Sequence, residues 1–117
     1  ILDPLEMKST GFIASEMSRQ PDFAIPYTGD TQLPFLDYEN IGPAGIAVSN
    51  VKDLTKWVAL FLNNGRLASG QTLVSQASQE RMFTVESEDH IPRIDLHIRS
   101  GLGWFLQDVA DRKLVWH

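Results

Sequence analysis

The chain has 117 residues and no cysteine, and its 15 acidic side chains outnumber 10 Lys and Arg for a net charge of -5. That length suits one domain, and a hydrophobic content of 43% is that of a globular protein. Disulfides, thiolate catalysis and Cys-ligated metals are excluded outright. Scattered cations in an acidic chain argue against a nucleic-acid partner, and no apolar run is long enough for a transmembrane segment.

Taken in chain order, residues 1–48 read as a loop-rich segment. Pro4 limits regular structure at the start, and Pro21, Pro26, Gly29, Pro34, Gly42 and Pro43 punctuate the stretch from Gly11 onward. Phe23, Tyr27, Phe35 and Tyr38 fall within it and are expected to anchor it on a neighbouring surface. A helical part follows over 49–85. Asn50 can cap a helix with Asp53 at its third position, a variant of the capping box. Val51, Leu54, Trp57, Val58 and Phe61 then recur at spacings of three and four, which predicts a buried face widened by Leu60 and Leu62. Asn63-Asn64-Gly65 supplies the stop, Gly65 being able to take the left-handed conformation. Ser75 can cap a second helix running to about Phe83, with Ala77, Met82 and Phe83 as core contacts.

Strands are expected over 91–117. IPRIDLHIR alternates Ile94, Leu96 and Ile98 with Arg93, Asp95, His97 and Arg99, the pattern of a half-exposed strand. GLGWFLQD and KLVWH read as two more strands joined by a polar turn between Asp108 and Lys113. Both ends look like cuts made inside a folded unit: ILDPLEMKST opens without an initiator Met, and KLVWH closes on an apolar run.

Few residues declare chemistry. Gly42-x-x-Gly45 leads into a helix, the arrangement that holds phosphate, but it is neither a Walker A loop nor a dinucleotide fingerprint. The two glycines are read as permitting tight turns. His90, His97 and Asp95 raise a metal site, yet Arg93 and Arg99 share the predicted face and would repel a cation. Solvated strand surface is the preferred reading, with no metal. None of the serines stands in a G-x-S-x-G context, and no nucleophile is named. His117 follows Leu114-Val115-Trp116 at the end of a predicted strand, a place from which side chains often enter an active site.

Four local phrases converge on one family. Asp3 to Thr10 resembles the "PLGM-x-D/S-T" phrase of the serine β-lactamase-related family, which includes class C β-lactamases, D-alanyl-D-alanine carboxypeptidases and esterases. Pro43 to Asn50 with Asp53-Leu54 is similar to its "PAGGLVST-x-x-DL" phrase. Leu73-Val74-Ser75 with Met82 resembles "LLSPES…M", and Gly101-Leu102-Gly103-Trp104 resembles "YGLGW". The order and spacing fit over nearly the whole chain. Glu6 stands where Gly is usual, Ile46 and Ala47 replace Gly-Leu, and Ser100 replaces Tyr.

The resemblance implies an α+β class and a partial β-lactamase/transpeptidase-like fold: a helical subdomain with long loops plus two or three C-terminal antiparallel strands. It places the chain between the second and third catalytic motifs, with S-x-x-K and Tyr-x-Asn upstream. His117 falls where the third motif, Lys-Thr-Gly or His-x-Gly, begins. The implied parent is a serine hydrolase acting on β-lactam, D-Ala peptide or ester substrates through an acyl-enzyme, with no cofactor. Pro43, Ala44, Gly45 and Ile46 would line the acyl-substrate cleft and His117 would orient substrate or stabilise charge. This chain alone, lacking a nucleophile, is expected to be inactive. Self-association, or pairing with the missing part of the domain, is expected from apolar surface left exposed. A periplasmic or secreted location is implied by the relatives only. The alternative is a non-catalytic binding module of the same fold.

Overall fold

The helix anticipated after Asn50 is the longest element of the computed structural model, which describes residues 1–35, 40 and 42–117. In chain order the elements are α1 (Ala14–Met17), β1 (Tyr27–Thr28), β2 (Thr31–Gln32), α2 (Gly42–Gly45), α3 (Val51–Leu62), α4 (Gln76–Met82), β3 (Ser87–Ile91), β4 (Leu96–Ser100), β5 (Phe105–Val109) and β6 (Arg112–Trp116). A two-stranded sheet β1-β2 and a four-stranded sheet β3-β4-β5-β6, both antiparallel, make the class α+β. The chain divides into two compact units, Ile1–Ala59 and Leu60–His117. No helix is long and apolar enough to cross a membrane among the described residues.

In the first unit the long loop keeps little regular structure. One turn of helix, α1, and the β1-β2 ribbon interrupt it, and Phe23 packs edge-on against Phe35 at 5.0 Å. Tyr38, the other aromatic expected as an anchor, lies outside the described residues. Residues 1–8 coil into consecutive turns that bury Leu5 and Met7. The Glu6 N–H donates to the Asp3 carbonyl at 2.9 Å, and the Glu6 carbonyl accepts from Lys8 N–H and Lys56 Nζ. Those bonds hold Glu6 at φ 53°. An L-residue in this left-handed region costs roughly 1–2 kcal/mol that glycine does not incur. The Gly-to-Glu departure in this phrase therefore falls on a backbone position that suits glycine. Glu6→Gly, whose side chain is exposed and whose main-chain bonds survive, is expected to raise stability by about 1 kcal/mol. Urea unfolding measures it, and a neutral or destabilising result would contradict the strain.

Helix α3 starts as its sequence dictates, with Asn50 Oδ1 accepting from the Asp53 N–H at 2.9 Å. Its ending differs in detail. Gly65 N–H donates to the Leu60 carbonyl at 2.8 Å and Asn64 N–H to that of Phe61 at 3.2 Å, a Schellman pattern. Asn64 (φ 52°) takes the first left-handed position and Gly65 (φ 74°) the second. The expected burial of the helix needs correction. Val51, Leu54, Val58 and Leu62 are exposed, at 74%, 48%, 53% and 80%, whereas Asp53 and Leu60 are buried. Periodicity located an apolar stripe correctly, but in the first unit α3 presents the side carrying Asp53 and Lys56 to the N-terminal turns, because polar groups there satisfy both side chains.

In the second unit Ser75 caps α4, its Oγ accepting from Ser78 N–H at 3.1 Å, and Phe83 is the C-cap. Ala77 is exposed rather than in the core. Phe61, Phe83 and Trp104 form a triangle with centroids 5.2–5.7 Å apart, each pairing contributing about 0.5–1.5 kcal/mol beyond its burial. The strands also depart from expectation. IPRIDLHIR is not one strand: Pro92–Ile94 form a 3-10 turn, Asp95 sits at φ 48°, and the segment folds back as the β3-β4 hairpin. Pro92 has no N–H to give a ladder, and Asp tolerates the left-handed region, so the chain turns where alternation alone predicted extension. The acidic stretch at 87–91 supplies β3, giving four strands where two or three were expected. Gly101–Trp104 is the β4-β5 connection, with Gly103 at φ 76°.

Candidate substrate-cleft residues

The phrases that looked independent in the sequence are paired in the fold. Asp53 joins the first two. Its carboxylate accepts from Ser9 N–H at 2.8 Å and from Thr10 Oγ1 at 2.9 Å, with Lys56 Nζ at 3.4 Å from its other oxygen. Thr10 Oγ1 also lies 2.7 Å from Ser49 Oγ. Loss of hydration pushes the Asp53 carboxyl up, but the Ser9 and Thr10 donors and the Lys56 ammonium together outweigh this and hold it below its ordinary value of 3.8. Gly11 and Val48 exchange two main-chain bonds at 3.0 and 2.9 Å beside this network. Phrases 3–10 and 43–54 are thereby one hydrogen-bonded piece. Sequence reasoning used Asp53 as a capping residue and as part of the second phrase, with no partner for its carboxylate. Nothing in the local spacing tells that its carboxylate reaches a segment more than forty positions upstream.

This piece carries the expected cleft residues. Gly42, Pro43, Ala44 and Gly45 form the single turn α2, closed by Ile46 N–H on the Gly42 carbonyl at 3.4 Å. The tight turn expected at these glycines forms, and neither glycine has positive φ. Nothing lies within 4 Å of a Cβ built on Gly45, so that its outer face is open, and Ala44 is exposed.

The third and fourth phrases meet in the second unit. Leu102 N–H donates to the Met82 carbonyl at 3.1 Å. A Cβ on Gly101 would stand 2.2 Å from that carbonyl oxygen and 2.9 Å from that of Thr84, so only glycine fits there. Trp104 closes the contact by packing on Phe61 and Phe83. From this anchored turn β5 runs out and β6 returns, the pair in register from Phe105↔Trp116 to Val109↔Arg112. His117 directly follows β6. It is exposed, and its ring lies nearly parallel to that of Phe105 at 5.9 Å. His117 and the 42–46 turn belong to different units, each positioned by its own network. The sequence does hold one S-x-x-K quartet, Ser49-Asn50-Val51-Lys52, within the second phrase, and in the fold Ser49 Oγ lies against Thr10 Oγ1.

The sequence model of the Beta-lactamase family matches residues 1–117, and the chain belongs to that family. It is thus a member of a serine hydrolase family related to β-lactamases and penicillin-binding proteins. Among solved structures it is similar to the octameric penicillin-binding protein homologue from Pyrococcus abyssi, at 26% identity and a TM-score of 0.73. That likeness covers 98% of this chain and 25% of the homologue, so the chain spans about a quarter of its relative. Among curated proteins no match is found.

Proposed function

We infer that the chain lines the acyl-substrate cleft of a serine hydrolase acting on β-lactam, D-Ala peptide or ester carbonyls. The observation that carries this reading is the family match over the whole of 1–117 by a chain that spans only 25% of a penicillin-binding protein homologue. The nucleophile and its lysine then belong to sequence outside these residues. The serine Oγ gives up its proton to the neighbouring lysine and adds to the carbonyl carbon. Collapse of the tetrahedral intermediate breaks the C–N or C–O bond, the protonated amine or alcohol departing from a peptide or ester but staying tethered in an opened β-lactam. Water then hydrolyses the acyl-enzyme. In this scheme the open face of Gly45 lets substrate approach the backbone of the 42–46 turn. His117, delivered by β6, orients the substrate or stabilises charge as it develops. The exposed apolar stripe Val51, Leu54 and Val58 is covered by the remainder of the domain or by a second copy, as the octameric state of the homologue would allow.

The test uses the whole protein. Incubation with a fluorescent penicillin or an activated ester is expected to yield a covalent adduct by intact-mass analysis, equal in mass to the acyl group. Residues 1–117 alone should form none. If the whole protein remains unlabelled by every acyl donor and releases no product, the hydrolase reading fails and the non-catalytic binding module replaces it.

A further inference from the structure

The β3-β4 hairpin gathers three metal-ligating side chains that sequence spacing had scattered over eight positions. His90 and His97 are register partners on adjacent antiparallel strands, and their rings stack 4.1 Å apart, inclined by 12°. Asp95, at the left-handed residue that ends the 3-10 turn, directs its carboxylate back over them. Its Oδ1 lies 3.1 Å from His90 Nε2 and 3.9 Å from His97 Nε2, and one donor atom from each residue falls within 4.8 Å of the others. Among the described residues no other group of three His, Cys, Asp or Glu side chains converges this way.

We propose that His90, Asp95 and His97 form a surface site for a divalent first-row transition ion of the zinc type. Two imidazole nitrogens and one carboxylate oxygen are the donor set that such ions prefer, and Mg2+ or Ca2+ would call for more oxygens. Metal–ligand bonds of about 2.0–2.2 Å at tetrahedral angles put donors roughly 3.3–3.6 Å apart, a spacing the observed distances bracket. Binding requires the stacked imidazoles to turn out of parallel so that both nitrogen lone pairs meet at one ion, a rearrangement that the exposure of all three groups permits. All three are accessible, so the ion keeps water in its remaining positions. The two neighbouring cations do not share one strand face with the cluster in the folded hairpin. Arg93 stands in the 3-10 turn rather than on the strand, and Arg99 Nη2 is engaged by Asp108 Oδ2 at 2.6 Å. The bound ion would clip the two strands and the turn between them, fixing the left-handed Asp95 from both sides.

The experiment is a titration of the whole, chelator-stripped protein with Zn2+ by calorimetry, and with Co2+ by its visible absorption. Wild type is expected to show a site of micromolar affinity that His97→Ala, Asp95→Ala and His90→Ala each weaken by about 10-fold or more. His117→Ala, the remaining histidine of this chain, should leave that site unchanged. Because the side chains are exposed, metal-free His90→Ala and His97→Ala should unfold close to the wild-type midpoint, Asp95→Ala below it because alanine tolerates φ 48° less well than aspartate, and Zn2+ should raise the midpoint of wild type alone. Identical titrations for wild type and the His90→Ala/His97→Ala double variant would overturn the site, as would the absence of binding in wild type. Neither result bears on the acyl-enzyme assay, so the two readings fail separately.

Discussion

On the proposed hydrolase reading, replacing His117 with alanine in the whole protein is expected to lower kcat/KM on its best acyl substrate by about 100-fold, the usual loss on removing one group that stabilises transition-state charge. The side chain stands at the open end of β6, held there by the β5-β6 register and by its ring on Phe105. Its loss should be felt mainly in kcat if it stabilises charge that develops during acylation, and mainly in KM if it only orients the bound substrate. Folding should survive, since the residue is exposed and a ring contact contributes only about 0.5–1.5 kcal/mol. His117→Phe separates the two roles, because it keeps an aromatic ring against Phe105 without a polar atom. A phenylalanine enzyme as slow as the alanine enzyme supports direct action on substrate. Recovery of activity by phenylalanine would show His117 to be a structural end-cap of the strand. Wild-type kinetics in both variants would remove it from the site.

Gly65→Ala is expected to be the most damaging single-methyl change in the chain, costing about 2–4 kcal/mol in denaturant unfolding. Two causes add. The backbone at φ 74° is left-handed, and the new Cβ would stand 1.9 Å from the Val74 carbonyl oxygen. That oxygen cannot simply move away, because the Gly65 carbonyl accepts from both Leu73 and Val74 N–H, tying the two segments together. The contrast is Gly45→Ala. With ordinary φ and open space around the added methyl, it should change stability by no more than about 1 kcal/mol, and in the stabilising direction. If the 42–46 turn lines the cleft, the same methyl meets substrate instead and raises KM. Equal stability of the Gly65→Ala and native proteins would refute the steric argument.

Local signals in the sequence were strong enough to determine several parts of this protein. Asn50 as N-cap, the extent of α3, the stop at Asn64-Gly65, Ser75 as the cap of α4 and the β5-β6 pair all depend on residues close by in the chain. Such short-range chemistry is written directly into residue order. The ordered phrases also sufficed to place the chain in its family.

Only the tertiary structure decided what depends on contacts across long separations. Whether an apolar stripe is covered depends on what lies opposite, so periodicity located Val51, Leu54 and Val58 without telling that Asp53 takes the buried side. The Asp53 carboxylate finds Ser9 and Thr10 through space, and Gly101 is needed for the carbonyls of Met82 and Thr84 rather than for its own turn. The alternation across 91–99 hid a reversal because Pro92 and the left-handed Asp95 interrupt extension without breaking the hydrophobic pattern. That reversal brings His90 opposite His97 and sets Asp95 above them, turning residues seven positions apart into neighbours.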